Sequence, residues 1–322
     1  SETLEQLSTL VYSKTLGNAF FTRRFVQSLY DQGLLYFDHQ AEQWAIKESE
    51  IAKTQMTDNV VKFMTQKITE LDPESVNALK KAAVIGNEFD GTLLQHLLGD
   101  AVDLDYVLQL PLREGFIEIF PQMETPRYAF VHDRIYQAVS EMNEAEEQVK
   151  INYEIVLRLL SDIPEEEWQD KAFLLATHLN QARPLLHHPD HLRALIQVNL
   201  LAGRRAKSAN AYAQAIQFLE IGLAEHTRLG QHSENLEFSF LCELLETYYL
   251  DGQFDQGEHC VAKLRALSLN RAQQRQALQL EIRLHKAKID FPAAIRTGIE
   301  ALNLLGVKLP QNPGQFDILR SF

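Results

Sequence analysis

His132 and Asp133 stand side by side where a β-type run, Arg127-Tyr128-Ala129-Phe130-Val131, gives way to a helical pattern through Ile135, Ala138 and Val139. A histidine at a strand-to-helix junction can present its ring to a ligand, and an aspartate beside it can serve as the helix N-cap. The competing reading is a histidine that only caps the junction and is satisfied by backbone. On these residues alone the structural reading is the stronger, because placed histidines mark sites only statistically.

Two other stretches carry residue types suited to chemistry. Gly86-Asn87-Glu88-Phe89-Asp90-Gly91-Thr92 imitates a phosphate-binding loop. It lacks the lysine, however, and Glu88 and Asp90 would repel phosphate oxygens. No strand is expected before it, so it reads as a turn between helices. No other stretch offers G-x-x-x-x-G-K, so the chain by itself is not expected to hydrolyse ATP, and no complete catalytic apparatus is present. His187, His188 and His191 with Asp190 form the densest cluster of ligand-type residues. Pro189 breaks it, and zinc sites recruit ligands from more than one element, so a polar connector is favoured over a metal site. Glu144–Glu147 and Glu165-Glu166-Glu167 read as solvated helix starts, where acids complement the helix dipole.

The elements that position these residues come from a chain of 322 residues with 45% apolar and 23% charged residues, ordinary globular values. Its net charge of −13 disfavours broad attraction to nucleic acid or anionic lipid. Cys242 and Cys260 are the only cysteines, too few for a disulfide framework or a structural zinc site, which suits the cytoplasm. No apolar run reaches the roughly 18–20 residues of a membrane helix. Both termini read as cuts in a longer protein, since neither carries a start or stop signal.

Periodicity predicts a helix over residues 3–15 and a second from Ala19 to Gln32, with Phe20, Phe21, Phe25, Val26 and Leu29 inward and Gly33 at C′. Leu34–Phe37 and Gln43–Ile46 read as short strands. From Thr57 a helix runs to Leu71. Asp72-Pro73 then starts a second helix, which stops at Gly86-Asn87. Helices over Leu93–Leu98 and Leu104–Arg113 precede two strands, Phe116–Phe120 and Arg127–Val131. Helices followed by a two-stranded hairpin make a winged-helix arrangement. Such a domain invites a DNA-binding reading, but Thr57–Tyr136 carries seven basic and thirteen acidic residues, a balance of −6. The helix that would enter the groove begins Val102-Asp103-Leu104-Asp105, the wrong sign for phosphates.

From Glu144 onward the pattern is helical. Three helices open with an aromatic followed three residues later by a small residue: Tyr212/Ala215, Phe254/Gly257 and Phe291/Ala294. Spacings of 42 (254 − 212) and 37 (291 − 254) are close to helical-hairpin periods. A small residue lets the next helix approach while the aromatic fills the gap, so all three rings are expected to be buried wedges in a tetratricopeptide-like stack. The fold class is therefore mainly α: a winged-helix domain with a small β wing, then a helical repeat array.

Thr15-Leu16-Gly17-Asn18-Ala19-Phe20-Phe21, Thr57-Asp58-Asn59-Val60-Val61 and Phe130-Val131-His132-Asp133, followed by a long helical tail, together resemble the STAND class of signalling ATPases. Within that class they are similar to the ATPase segment of large bacterial hybrid kinases, which join Ser/Thr-kinase-like, ATPase, GAF and histidine kinase domains. The resemblance implies four segments. Residues 1–52 would be the helical lid of an upstream P-loop ATPase domain plus a hairpin, and 53–142 the winged helix. Residues 143–306 would be the repeats and 307–322 a linker or the start of the next segment. It implies that Gly17 and Asn18 belong to the lid motif near the adenine, with Ala19 where proline is usual. It further implies that His132 and Asp133 are the His-Asp motif, whose histidine contacts the β-phosphate of ADP. ATP and ADP would be ligands of the whole protein and not of this chain alone. Its partners would be the upstream ATPase and downstream kinase domains, with a possible protein partner on the repeats, no nucleic acid and no membrane. The expected function is regulatory, coupling nucleotide state to a sensor kinase in a two-component system. An interaction scaffold is the alternative, ahead of a transcriptional activator module.

Overall fold

The computed structural model describes residues 2–15, 17, 19–39, 42–47, 66–120, 125–230 and 233–307. They are mainly helical, with two small antiparallel sheets. The chain divides into two compact units, Ser1–Ile151 and Asn152–Phe322. Among the described residues no helix is long and apolar enough to cross a membrane.

The first unit holds two hydrophobic clusters. In one, α1 (Glu2–Thr15) and α2 (Ala19–Asp31) pack on a hairpin of β1 (Leu35–Asp38) and β2 (Gln43–Ile46). Its core is Val11, Phe25, Leu29, Leu34 and Leu35. Gly33 takes the left-handed φ of 64° that the C′ position calls for, and the Leu34 amide returns to the Leu29 carbonyl at 2.9 Å. The side chains of Phe20 and Phe21, expected inward, lie outside the described residues, as does residue 18.

The other cluster is built from α3 (Pro73–Ile85), β3 (Glu88–Asp90), α4 (Gly91–Leu98), α5 (Leu104–Arg113), β4 (Ile117–Phe120), β5 (Arg127–Phe130) and α6 (Asp133–Glu141). The helix expected over 57–71 falls largely outside the described residues. Its last turn leads into Asp72, whose carboxylate accepts from the Ser75 amide at 2.9 Å and caps α3, with Pro73 at N1. That backbone hydrogen bond holds the Asp72 carboxyl below its usual range. The Ser75 hydroxyl then donates to the Val107 carbonyl at 2.7 Å, tying α3 to α5 across the core.

The sheet has three strands, in the order β3-β5-β4, all antiparallel. Here the sequence reading needs correction: Gly86–Thr92 is not only a turn, because Glu88–Asp90 forms β3 against β5. Phe89 is buried between Tyr128 and Phe130, at 5.5 and 5.7 Å between ring centroids. A strand with one inward side chain has no periodicity to read.

Helix α7 (Ala145–Asp162) runs across the division, and the second unit continues with α8 (Ala172–Ala182), α9 (Pro189–Ser208), α10 (Tyr212–Leu229), α11 (Glu234–Leu250), α12 (Phe254–Ala266), α13 (Arg271–Ala287) and α14 (Phe291–Leu304). The last six pack as three helical hairpins, α9/α10, α11/α12 and α13/α14. Their turns share one geometry. Asn210, Gly252 and Ile289 have φ of 60°, 80° and 62°. The next amide, of Ala211, Gln253 and Asp290, returns to Ala206, Tyr248 and His285 at 2.9, 2.8 and 2.9 Å. Such closely matching helix ends, at the spacing of the sequence pattern, are the strongest sign of repetition in this unit.

The wedge expectation is corrected. Tyr212 and Phe254 are only half-buried, and Phe291 is 57% exposed. Each ring begins its helix directly after the turn, at the hairpin tip, where little covers it. Of the small residues, Ala215 and Gly257 are buried and Ala294 is half-buried, and a Cβ on Gly257 would lie 2.9 Å from Leu284. The buried wedge is Phe240, fully enclosed, with its ring against Gly222.

Ile289 occupies a conformation that a β-branched residue adopts only under strain. Its side chain is 73% exposed, so little packing offsets that cost. Ile289→Gly should therefore stabilise the chain by about 1 kcal/mol, read as a higher urea midpoint; a lower midpoint would contradict it.

Candidate functional site

The His132 junction is assembled by local geometry. β5 delivers an extended backbone, and the Val131 amide still bonds the Phe116 carbonyl at 3.1 Å. His132 continues extended, with φ −153° and ψ 140°, and the chain then turns into α6. Its own carbonyl accepts the first helical amides, from Ile135 at 2.9 Å and Tyr136 at 3.2 Å. Ile135, Ala138 and Val139 anchor α6 in the core with no exposure.

The cap is the histidine and not the aspartate. His132 Nδ1 accepts from the Arg134 amide at 3.1 Å, whereas Asp133 is the exposed first residue of the helix. The expectation that Asp133 holds the helix start is thus corrected. The physical reason is the backbone: the residue with extended φ and ψ is the one whose side chain can fold back over the first turn. A consequence follows for proton placement. An Nδ1 that accepts carries no hydrogen, so the neutral ring holds its hydrogen on Nε2, the tautomer assigned from this bond. Asp133 remains positioned to favour the positive end of the helix dipole.

Gly17 sits on the turn between α1 and α2, exposed, at φ 78°, where a Cβ would meet the Tyr12 ring at 3.2 Å. Asn18 lies outside the described residues. Gly17 thus belongs with the elements of the first cluster of this unit, and His132 with the second.

The imitation phosphate loop is occupied by its own side chains. Asp90 accepts from the amides of Thr92 and Leu93 at 2.8 and 3.1 Å, the very groups that would cradle a phosphate at the start of α4. Gly91 is required for another reason: its amide donates to the Pro126 carbonyl at 2.9 Å, and a Cβ there would stand 3.0 Å from the same oxygen.

In the histidine cluster, His188 caps α9, its Nδ1 accepting from the Asp190 amide at 3.3 Å. His191 lies 5.1 Å away between ring centroids, and burial, followed by the neighbouring His188, lowers its pKa. His187 is exposed. Among the described residues no three His, Cys, Asp or Glu side chains converge in the manner of an ion site.

One polar constellation has no counterpart in the sequence reading. Arg265 on α12 donates through Nε and Nη2 to the buried Glu281 on α13, both at 3.0 Å, and through Nη1 and Nη2 to Glu300 on α14, at 3.2 and 2.9 Å. Hydrogen bonds to Glu300 and then Glu281 push the guanidinium pKa up. Beside it lies a cavity of about 260 Å³ lined by Val261, Leu264, Leu278 and Leu304. Separations of 16 and 35 residues, with no motif, left it invisible. The two cysteines, Cys242 and Cys260, are buried in one hairpin, and burial pushes their thiols up to about 12 and about 11, so neither is a nucleophile.

With this geometry in view, the chain can be set beside known proteins. No protein family matches it, and no solved structure does. It is similar to hybrid signal transduction histidine kinase G of Dictyostelium discoideum, with 24% identity over 376 aligned positions covering 97% of this chain. The chain spans 11% of the length of that protein. It is thus similar, over nearly all of its length, to a small part of a signal-transduction kinase.

Proposed function

We propose that this chain acts in signal transduction as the regulatory, non-catalytic part of a STAND-type ATPase, coupling nucleotide state to a sensor kinase. In this reading residues 53–142 are a winged helix, and the element order helix, strand, two helices, two strands supports it. The helical hairpins would relay the state of the nucleotide to kinase domains of the same polypeptide, in the cytoplasm. ATP and ADP would be held mainly by a P-loop domain upstream, with His132 and Asp133, and Gly17 and Asn18 from the lid, completing the site. Nucleic acid is not proposed as a partner: Asp103 and Asp105 stand at the start of the helix that would face phosphates.

The observation that carries the proposal is His132. Its Nδ1 accepts from the Arg134 amide, so the neutral ring carries its hydrogen on Nε2. A junction cap alone would not need an imidazole, because Asn or Ser does that work as well. Residues 1–322 alone lack the backbone cradle and lysine, so ADP should bind them no better than about millimolar. Calorimetric titration tests this, and a micromolar affinity would overturn the division of labour.

A further inference from the structure

Among the described residues nothing covers an apolar face of the α13/α14 hairpin, and the order of charges along the stack says what fits it. Phe291, Ile295 and Leu305 are 57%, 61% and 61% exposed, and Ile289 at the preceding turn is 73% exposed. In the first of the repeating hairpins the residue equivalent to Ile295 is Ile216, four residues after the aromatic, and it is 7% exposed. There α10 is covered by α11, just as α12 packs against α13. Among the described residues nothing plays that part for α14. A terminal repeat facing solvent carries a polar outer face, and among the described residues the outer face of α14 is apolar.

Charge supplies the second line of argument. The first helices of the three hairpins pack in series, α9 on α11 and α11 on α13. Their contacts alternate in sign. Arg204 and Lys207 on α9 pair with Glu243 on α11 at 2.8 and 2.6 Å. Glu246 then bridges back to Lys207 and forward to Arg283 on α13, the latter at 3.1 Å. Arg283 follows Glu246 by 37 residues, the hairpin spacing, so it occupies the position from which the next bridge would leave. It is 58% exposed, and Lys286 one turn on is exposed as well. A basic helix at this place in the sequence of signs calls for an acidic neighbour.

Ile289 is the third observation. The other two hairpin turns place Asn210 and Gly252 in the left-handed conformation, as sterics favour. An isoleucine there is strained and exposed at once, and strain of this kind clusters at ligand-contacting and switching sites.

We propose that the face formed by Ile289, Phe291, Ile295 and Arg283 is a docking surface for an amphipathic helix with a carboxylate-bearing flank, seated as the next first helix of the stack. A second copy of this chain presenting the same face is disfavoured, since it would set Arg283 and Lys286 against their own counterparts.

The test uses residues 1–322 and a labelled, helix-stapled peptide with the sequence of residues 233–250, whose Glu243 and Glu246 already serve this role against α9. Saturable binding that weakens with added salt is expected. Ile295→Glu, a change at a solvent-exposed position, should weaken it about tenfold or more with unfolding unchanged. A peptide carrying Glu243→Lys and Glu246→Lys should bind as poorly, and Arg283→Glu in the chain should restore part of that loss. No binding at all, equal binding of both peptides, or indifference to Ile295→Glu would overturn the proposal. So would sedimentation showing a dimer of the chain that Ile295→Glu dissolves, because the occupant would then be a second copy.

Discussion

Truncating Phe240 to alanine should cost about 3–5 kcal/mol, the largest loss expected from any single change in the helical stack. Its ring is fully buried on α11 and rests on Gly222 of α10, where a Cβ would lie 2.6 Å from the ring edge and 3.1 Å from Asn199 Cβ. The opposing wall is therefore backbone, which cannot relax into the space a lost ring leaves. The cavity should persist and the cost should fall in the upper part of the range. Gly222→Ala alone should also destabilise, by about 1–3 kcal/mol of overpacking against roughly 1 kcal/mol of improved helix propensity. In the Phe240→Ala background the same Gly222→Ala change should become stabilising, because the new methyl enters the void. Such a reversal of sign in a double-mutant cycle is the mark of a ring-in-notch contact. Strict additivity, or a loss below about 1 kcal/mol for Phe240→Ala, would show that the ring does not lock the hairpins.

Acidification should weaken the second unit through His178. This residue is 2% exposed, and its Nδ1 lies 2.8 Å from Asn152 Oδ1. Burial lowers its pKa to about 4, against 6.5 in the unfolded chain. The folded state therefore refuses a proton that the unfolded state accepts. Stability supplied by the neutral ring is present in full above pH 6.5 and is lost as the pH falls toward 4. Across that window the loss amounts to about 3 kcal/mol. Urea midpoints at pH 7 and pH 4 should diverge by that amount between the wild type and His178→Gln, the variant having the flatter profile. Carboxylates titrate in both proteins and cancel in the difference. Parallel profiles would place His178 in a wetter setting than the structure gives it.

How far the sequence reached depended on how local each cause was. Asp72-Pro73 is read correctly because a cap and a proline at N1 act within four residues. The aromatic-to-small spacing found the three hairpins because the turn that precedes each aromatic recurs with its geometry intact. The burial of those aromatics was misread: spacing locates a residue on a helix, but which neighbours cover it is a tertiary matter. Gly203 and Gly222 carry no signal in the sequence pattern, although Leu219 and Phe240 pack directly onto them. β3 was missed because three residues carry one inward side chain. At the candidate site the strand-to-helix junction is legible, but the capping role belongs to the other member of the pair. Propensity ranks aspartate above histidine as a cap, and the extended backbone inherited from β5 overrode that ranking at His132. The Arg265, Glu281 and Glu300 network shows the same limit more plainly, since its members meet only once three helices are packed.

The central claim is that His132 is a nucleotide-state contact as well as a helix cap, and the two roles can be separated. His132→Asn keeps a good cap for the Arg134 amide while removing the Nε2 hydrogen. A charge-assisted hydrogen bond to a β-phosphate is worth about 1.5–3 kcal/mol, or roughly 10- to 150-fold in population of the state that makes it. The decisive measurement is the affinity of the full-length protein for ADP and for ATP, wild type against His132→Asn. The account predicts an ADP affinity weakened by about that factor, ATP affected less, and thermal unfolding unchanged. Equal losses for both nucleotides, or none for either, would make His132 a cap and nothing more.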